Sequence, residues 1–158
     1  LTGHLVLSTL HTNDAPSTIT RLINMGLKPY LITAALVAII SQRLVKKICP
    51  DCKEEYTPGD DILHEIGLLD HDLQDRHFYT GKGCSSCNRT GYNGRMSILE
   101  IMSVNEEICS HIIKQSSTET LREIARNNGM QTLSESGLNA VYNGLTTLEE
   151  VARETSIN

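Results

Sequence analysis

The chain has 158 residues, 39% of them hydrophobic, and a formal net charge of −5 at neutral pH. This length suits one complete domain or parts of several, and with one Phe and no Trp the core must be aliphatic. The acidic balance argues against general nucleic-acid binding, which needs a basic surface, and the longest apolar run is too short to span a bilayer.

The first 48 residues predict a strand and two helices. Residues 4–10 are rich in Leu and Val, which is typical of a short buried strand. The polar turn that follows ends at Asp14, which can cap a helix that Gly26 ends. A second helix is predicted over residues 29–45, where a long apolar stretch implies burial on several sides. Because the chain starts without Met and almost directly with a strand, we expect it to be a fragment of a larger domain.

The motif Cys-x-x-Cys then occurs twice, and residues 53–83 separate the two pairs. Each pair has the two-residue gap that lets both sulfurs face one ion, so four thiolates predict a closed, structural Zn²⁺ site. The predicted ligands are Cys49, Cys52, Cys84 and Cys87. The alternatives are two redox dithiols or inert thiols. Three histidines between the pairs can also substitute for a cysteine: His64, His71 and His77.

Between the cysteine pairs, the sequence Thr57-x-x-Asp60 predicts the start of a helix. Its apolar face would carry Ile62, Ile66 and Leu69, and residues 70–77 would form a polar loop. Basic residues gather around both pairs, where they can offset thiolate charge; a nucleic-acid patch is the alternative. They are Arg43, Lys46, Lys47, Lys53, Lys82, Arg89 and Arg95.

Beyond the second pair, the pattern predicts a strand over residues 95–102 and then four helices. Ser103-x-x-Glu106 is a capping box for the first helix, and Thr147-x-x-Glu150 can cap the last. Glycines are expected to end the second and third helices. The apolar face of the second helix carries Leu121, Ile124 and Ala125. Gly129 would end this helix, and Gly144 would end the third.

Two further residues are candidates for contact with phosphate. His11 follows the predicted first strand, where open α/β sheets place ligands, but a loop histidine that fixes its own turn explains the position as well. Arg95 closes a glycine-rich turn that can present its planar guanidinium to phosphate, and an ordinary surface arginine is the alternative. The phosphate-binding loop Gly-x-x-x-x-Gly-Lys-Ser/Thr is absent from this sequence.

Several of these motifs resemble one protein family. Residues 2–15 (TGHLVLSTLHTNDA) resemble the histidine box of the secretion ATPase superfamily. The run Gln42-Arg43-Leu44-Val45 before the first cysteine pair, and residues 90–95 after the second, are similar to type II secretion and type IV pilus assembly ATPases. Residues 144–151 look like the end of the same proteins. The resemblance covers the whole chain and includes the cysteine quartet, which retraction motors of the superfamily generally lack.

The resemblance implies an α/β fold: the carboxyl-terminal portion of a RecA-like P-loop ATPase domain with a zinc-binding insertion and a mainly helical tail. Residues 1–48 would belong to the ATPase core and residues 49–94 to the zinc-binding subdomain. Residues 95–158 would supply a core strand followed by a helical carboxyl-terminal subdomain. His11 would be a catalytic residue and Arg95 a nucleotide-binding residue.

The same resemblance implies a cytoplasmic homo-hexamer at the bacterial inner membrane, which binds ATP and Mg²⁺ as the full-length protein. It would act through an inner-membrane platform protein, without nucleic acid and without a transmembrane segment of its own. Pilus assembly and type II secretion both remain open. Because the phosphate loop is missing, we expect this chain alone to be inactive. The alternative is a stand-alone zinc-ribbon adaptor that binds protein or nucleic acid, against which the box around His11 argues.

Overall fold

The computed structural model describes residues 3–68 and 76–155, which form a mixed α/β structure. The chain divides into two compact units. The first unit comprises Leu1–Ser41 and Glu100–Thr132, and the second comprises Gln42–Leu99 and Leu133–Asn158. The elements in chain order are α1 (Ala15–Asn24), α2 (Pro29–Ala35), β1 (Ala38–Ile48), β2 (Lys53–Tyr56), α3 (Asp60–Ile66), β3 (Phe78–Gly81), β4 (Tyr92–Ser103), α4 (Glu106–Ile113), α5 (Thr118–Asn127), α6 (Leu133–Tyr142) and α7 (Leu148–Thr155).

The first unit is built around helices α1, α2, α4 and α5. Helix α1 begins as predicted: the Asp14 carboxylate oxygen Oδ1 accepts a hydrogen bond from the backbone N–H of Ser17 at 2.8 Å. Gly26, just beyond the helix, has a φ of +91°, which a residue with a side chain rarely adopts. The core is aliphatic, as the composition requires, and its buried members are Ala15, Ile19, Ile32, Ile39, Met102, Ile108, Ile112, Leu121, Ala125 and Met130.

The strand predicted over residues 4–10 is wrong, because this segment carries no regular secondary structure. Leu5, Val6 and Leu7 are exposed to 83%, 79% and 87%. A strand is stable only when a neighbour accepts and donates its backbone hydrogen bonds, and no strand among residues 3–68 and 76–155 pairs with this segment. An apolar run alone therefore did not make a strand, and His11 does not follow one.

The helix predicted over residues 29–45 is also wrong in its second half. Helix α2 ends at Ala35, and Leu36 already has extended backbone angles (φ −87°, ψ 125°). Residues from Ala38 onward form β1, which pairs with β4. An apolar run of this length has no clear period, so the pattern could not separate helix from strand. The β-branched residues of β1 and the available partner strand decided the outcome.

In the second unit, β2 and β3 form an antiparallel pair with Lys53 opposite Gly81 and Tyr56 opposite Phe78. Helix α3 begins at Asp60 after Gly59, so Thr57 does not cap it. Leu63 is its buried residue. Leu69 and residues 70–75 of the predicted loop lie outside the described residues. Helices α6 and α7 complete the core, whose buried members are Leu63, Phe78, Val141, Leu148 and Val151.

The predicted carboxyl-terminal helices are present, with one error in their caps. Asn105 caps α4 through its side-chain oxygen, which accepts from Ile108 N–H at 2.9 Å, and Ser103 instead ends β4. Helix α5 buries Leu121 and Ala125 as predicted. Thr147 caps α7 as predicted, since its hydroxyl oxygen accepts from the N–H of Glu150 at 3.3 Å.

The Glu150 side chain does not complete that capping box but binds β1. Its carboxylate accepts from the backbone N–H of Lys46 at 3.1 Å, and the Lys46 ammonium lies 3.2 Å away. Arg153 contacts the same carboxylate at 2.7 Å. Burial raises the pKa of Glu150, which is 3% exposed, but these donors outweigh it and hold the pKa below its ordinary value. Glu150 therefore joins α7 to β1 as a carboxylate.

Replacing this carboxylate should weaken the second unit in a pH-dependent way. We expect Glu150→Gln to lower the free energy of unfolding by about 1–3 kcal/mol at neutral pH, because charged hydrogen bonds are lost. Since the folded pKa of Glu150 is depressed, its contribution is complete above the ordinary pKa and is lost as pH falls through the folded pKa. The difference between the two proteins should therefore shrink on acidification in matched denaturant titrations.

Glu154→Gln, on the same helix, is the matched control for this titration. Its partner Arg153 is exposed, so its effect should stay within a few tenths of a kcal/mol. A loss of stability in Glu150→Gln that is the same at every pH would show that packing, and not charge, explains the contact.

Candidate metal centre

Each cysteine pair lies where one strand ends and another begins. Cys49 directly follows β1 and Cys52 directly precedes β2, while Cys84 and Cys87 lie between β3 and β4. Backbone hydrogen bonds tie the two loops together: Cys49 N–H donates to the carbonyl of Gly91 at 2.9 Å, and Lys82 N–H donates to that of Cys52 at 3.0 Å. The strands thus bring four cysteines that are far apart in sequence to one place.

The four sulfur atoms all lie within 4.8 Å of one another. The distances between sulfurs are 3.9 Å for Cys49 and Cys84, 3.8 Å for Cys52 and Cys87, and 3.7 Å for Cys84 and Cys87. A tetrahedral Zn²⁺ with bonds of about 2.3 Å to sulfur needs sulfurs about 3.8 Å apart. These distances exceed a disulfide bond, and all five cysteines of the chain are free. The predicted cluster is confirmed, and its geometry suits one metal ion.

Backbone amides already point at two of the sulfurs. Cys87 Sγ accepts from the N–H groups of Cys84 and Gly91 at 3.2 and 3.3 Å, and Cys52 Sγ accepts from that of Gly83 at 3.3 Å. The amides, that of Cys84 first, lower the pKa of Cys87 to about 6, against the effect of burial. Burial and the neighbouring thiols raise the pKa of Cys52 to about 12. Four thiolates this close together would repel one another, so these thiols cannot all ionise without a cation. A divalent ion offsets their negative charge and removes the repulsion.

His64 and His77 do not join the cluster. Among the residues that the structure describes, the metal-binding group consists of the four cysteines alone. His64 is exposed on α3, and His77 contacts the carboxylate of Glu55. His71 lies outside the described residues. Substitution of His64 or His77 for a cysteine is therefore contradicted.

Two of the nearby basic residues have carboxylate partners of their own. The Lys82 ammonium lies 2.6 Å from Glu54, and Lys46 is bound to Glu150. Lys53 lies over the ring of Tyr79, 4.1 Å from its centroid. Each of these three lysines thus contacts a carboxylate or an aromatic ring of its own.

Beside the cysteines, the chain at Gly81 approaches the chain at Gly91 too closely for either position to carry a side chain. A Cβ atom at Gly81 would overlap the carbonyl oxygen of Gly91, and one at Gly91 would overlap the carbonyl oxygen of Gly81. Both obstacles are backbone atoms, which cannot rotate away. Two glycines are therefore required here for the close approach of the chain, and not only for turning it.

We expect Gly81→Ala to destabilise the second unit by on the order of 2–4 kcal/mol, since the loops must separate to admit the methyl group. Gly59→Ala is the matched control, because a Cβ there meets no atom within 4 Å and its φ of −74° suits alanine. Thermal unfolding of the metal-loaded proteins measures both. Equal stability of the two variants would show that the loops can move apart at little cost.

The other two predicted site residues are both exposed. His11 lies in the first unit, three residues before the residue that caps α1. Arg95 lies in the second unit on β4, and its guanidinium has no ion-pair or hydrogen-bond partner in the part of the chain that the structure describes. Neither residue belongs to the cysteine cluster. Their roles remain predictions.

Sequence reasoning missed a charged group in the first unit. The Arg122 guanidinium lies 2.6 Å from the carboxylate of Asp14, and Glu119 contacts the same guanidinium. Glu100, which is 3% exposed, accepts from the backbone N–H of Ala15 at 2.6 Å. The cap at Asp14 was visible in the sequence, but partners about a hundred residues away were not.

Comparison with known proteins places these features in context. The sequence matches the family described as type II/IV secretion system protein over residues 1–153. No helix among the described residues has the length and apolar character needed to cross a membrane.

Named relatives of two kinds align with almost all of this chain. It is 48% identical over 155 residues to the type IV pilus assembly ATPase PilB of Thermus thermophilus. This alignment covers 98% of this chain and 17% of that protein. It is 43% identical to the PilB of Myxococcus xanthus over 99% of this chain and 28% of the relative. It is 39% identical to the type II secretion system protein HxcR of Pseudomonas aeruginosa over 98% of this chain and 29% of the relative. The chain thus spans less than a third of each of these relatives.

Proposed function

Because this chain belongs to the type II/IV secretion system protein family, we propose that it is part of an ATPase that powers pilin or pseudopilin assembly. The observation that carries the proposal is the alignment of 98% of the chain with a type IV pilus assembly ATPase at 48% identity. The match also extends far beyond the cysteines, which counts against a stand-alone zinc-ribbon adaptor. Relatives of the pilus and the secretion kind both align, so the proposal covers both machines.

The proposal includes the architecture that this function requires. The full-length protein is a cytoplasmic homo-hexamer that binds ATP and Mg²⁺ and acts on an inner-membrane platform protein. Residues 1–48 belong to its RecA-like core, residues 49–94 form the zinc-binding insertion, and residues 95–158 return to the core before the helical end. His11 takes part in hydrolysis, and Arg95 contacts the nucleotide.

The proposed metal is Zn²⁺, held by the four cysteines. Four thiolates leave no open position for substrate, so the ion links two loops and does no chemistry of its own. The sulfur distances support this assignment. Metal analysis of the purified protein should find one zinc per chain, and a folded protein with four reactive thiols and no metal would refute it.

ATP turnover by the full-length protein tests the function. We expect His11→Ala to abolish most turnover and also pilus assembly or secretion, while zinc content stays at one per chain. His64→Ala, an exposed histidine on α3, is the control and should match the wild type. Wild-type turnover in His11→Ala would refute the role of this histidine.

The 158-residue chain alone should not hydrolyse ATP. Its sequence contains no phosphate-binding loop to supply the backbone amides and lysine that hold phosphates. A coupled phosphate-release assay on the purified chain checks this expectation. Turnover that survives repeated purification and is lost in His11→Ala would contradict it.

A further inference from the structure

Arg122, on α5, is bound to the residue that begins α1. Its Nη2 atom donates to Asp14 Oδ2 at 2.6 Å, and the two side chains are 26% and 13% exposed. The other oxygen of Asp14, Oδ1, accepts from the backbone N–H of Ser17 at 2.8 Å. One carboxylate therefore caps α1 and holds α5 at the same time.

A second carboxylate fixes the same end of α1. Glu100 is buried, and its Oε1 atom accepts from the N–H of Ala15, the first residue of the helix. The hydrogen bond to Asp14, with the charges of Asp14, Glu119 and Glu100, raises the pKa of Arg122 despite its partial burial. Two carboxylates, of Asp14 and Glu100, thus contact the start of α1, and Arg122 binds the first of them.

The restraint extends from α1 back toward His11. The hydroxyl groups of Thr12 and Thr18 lie 2.8 Å apart, which ties the residue next to His11 to the first turn of the helix. Before His11, residues 4–10 belong to no helix or strand. His11 thus lies one residue before Thr12, whose hydroxyl group contacts α1.

We infer that Arg122 is a positioning residue, which orients His11 by holding the Asp14 cap. The inference rests on the proposed function, since it assumes that His11 takes part in hydrolysis. Helix α1 keeps the bond from Glu100, the cap oxygen of Asp14 and the buried Ile19 even without the guanidinium. Loss of Arg122 should therefore displace His11 and the residues that join it to α1, while the helix itself stays folded.

Steady-state kinetics of the full-length protein test the inference. Arg122→Gln should lower kcat about tenfold and leave KM for ATP within about twofold, because a misplaced catalytic group affects the transition state more than binding. Asp14→Asn should do the same, since asparagine keeps the cap oxygen but loses the charge. The double variant should fall no further, because both changes break one contact. Arg122→Lys should recover part of the loss.

Arg21→Gln is the control, because it removes an exposed arginine from the last turn of α1 without touching the cap. It should retain wild-type kcat. A purely structural role for Arg122 would lower thermal stability but leave kcat per folded protein unchanged, and this result would overturn the inference.

The outcomes separate this inference from the proposed function. Wild-type kcat in Arg122→Gln and Asp14→Asn, with His11→Ala inactive, overturns the inference and leaves the function intact. Wild-type kcat in His11→Ala overturns both the role of that histidine and the inference. If Arg122→Gln does not fold, Asp14→Asn decides alone: a tenfold lower kcat supports the inference, and an unchanged kcat overturns it.

Discussion

Cys87→Ser is expected to abolish stable metal binding and to unfold the cysteine segment, residues 49–94. Cys87 is buried and its sulfur accepts two backbone hydrogen bonds, which hold it in place within the cluster. A serine hydroxyl stays neutral and is a poor fourth ligand. Zinc binding contributes about 10–16 kcal/mol in small zinc-dependent domains, which is more than a short segment can lose and stay folded.

The effect should be confined to the second unit. Helices α1, α2, α4 and α5 pack around a core of their own, to which the described part of the cysteine segment contributes no residue. Hydrogen exchange should therefore show lost protection in the cysteine segment and retained protection in these helices. The matched control is Cys109→Ser, which replaces the cysteine that lies on α4 outside the cluster. One tightly bound zinc in folded Cys87→Ser protein would contradict this prediction.

Arg95→Ala is expected to lower ATP turnover of the full-length protein by roughly ten- to hundredfold. A charge-assisted contact to phosphate is worth about 1.5–3 kcal/mol. At about 1.4 kcal/mol per tenfold, this is the stated loss if the contact acts in the transition state. Arg95 is exposed and lacks an ion-pair partner among the described residues, so its guanidinium is available to a ligand.

Three comparisons make this prediction specific. Arg95→Lys should recover only part of the turnover, since lysine keeps the charge but not the planar fork. Lys47→Ala removes another exposed cation, from β1, and should have little effect. Because Gly91 joins the cysteine loops just before β4 begins, removal of zinc should reproduce the loss. Wild-type turnover in Arg95→Ala with zinc retained would make Arg95 an ordinary surface residue.

Local chemistry made part of this structure predictable. The spacing of the four cysteines predicted their cluster, because two sulfurs of a Cys-x-x-Cys turn face one point in almost any fold. Asp14 and Thr147 were predicted as caps because a cap needs only a side-chain oxygen three residues before its donor. The apolar face of α5 followed from the 3.6-residue period.

Features that depend on a distant partner could not be predicted. Residues 38–45 became a strand because β4 supplies its hydrogen bonds, and residues 4–10 did not because no described strand does. Likewise, Glu150 has the pattern of a capping residue, but it binds Lys46 because the second unit brings β1 beside α7. The stability of a strand depends on the hydrogen bonds and side-chain contacts of its partner strand as much as on its own residues.

The sequence by itself determined the two cysteine pairs that form the cluster, the caps at Asp14 and Thr147 and, through its motifs, the family. Each cap, each Cys-x-x-Cys pair and each family motif resides in a few contiguous residues, whose hydrogen bonds and side-chain spacing extend over one or two turns. Only the tertiary structure decided that Gly81 and Gly91 meet backbone to backbone, and that Arg122 holds Asp14. These contacts join residues 10 and 108 positions apart, and their existence depends on how the intervening chain packs, which no local pattern records.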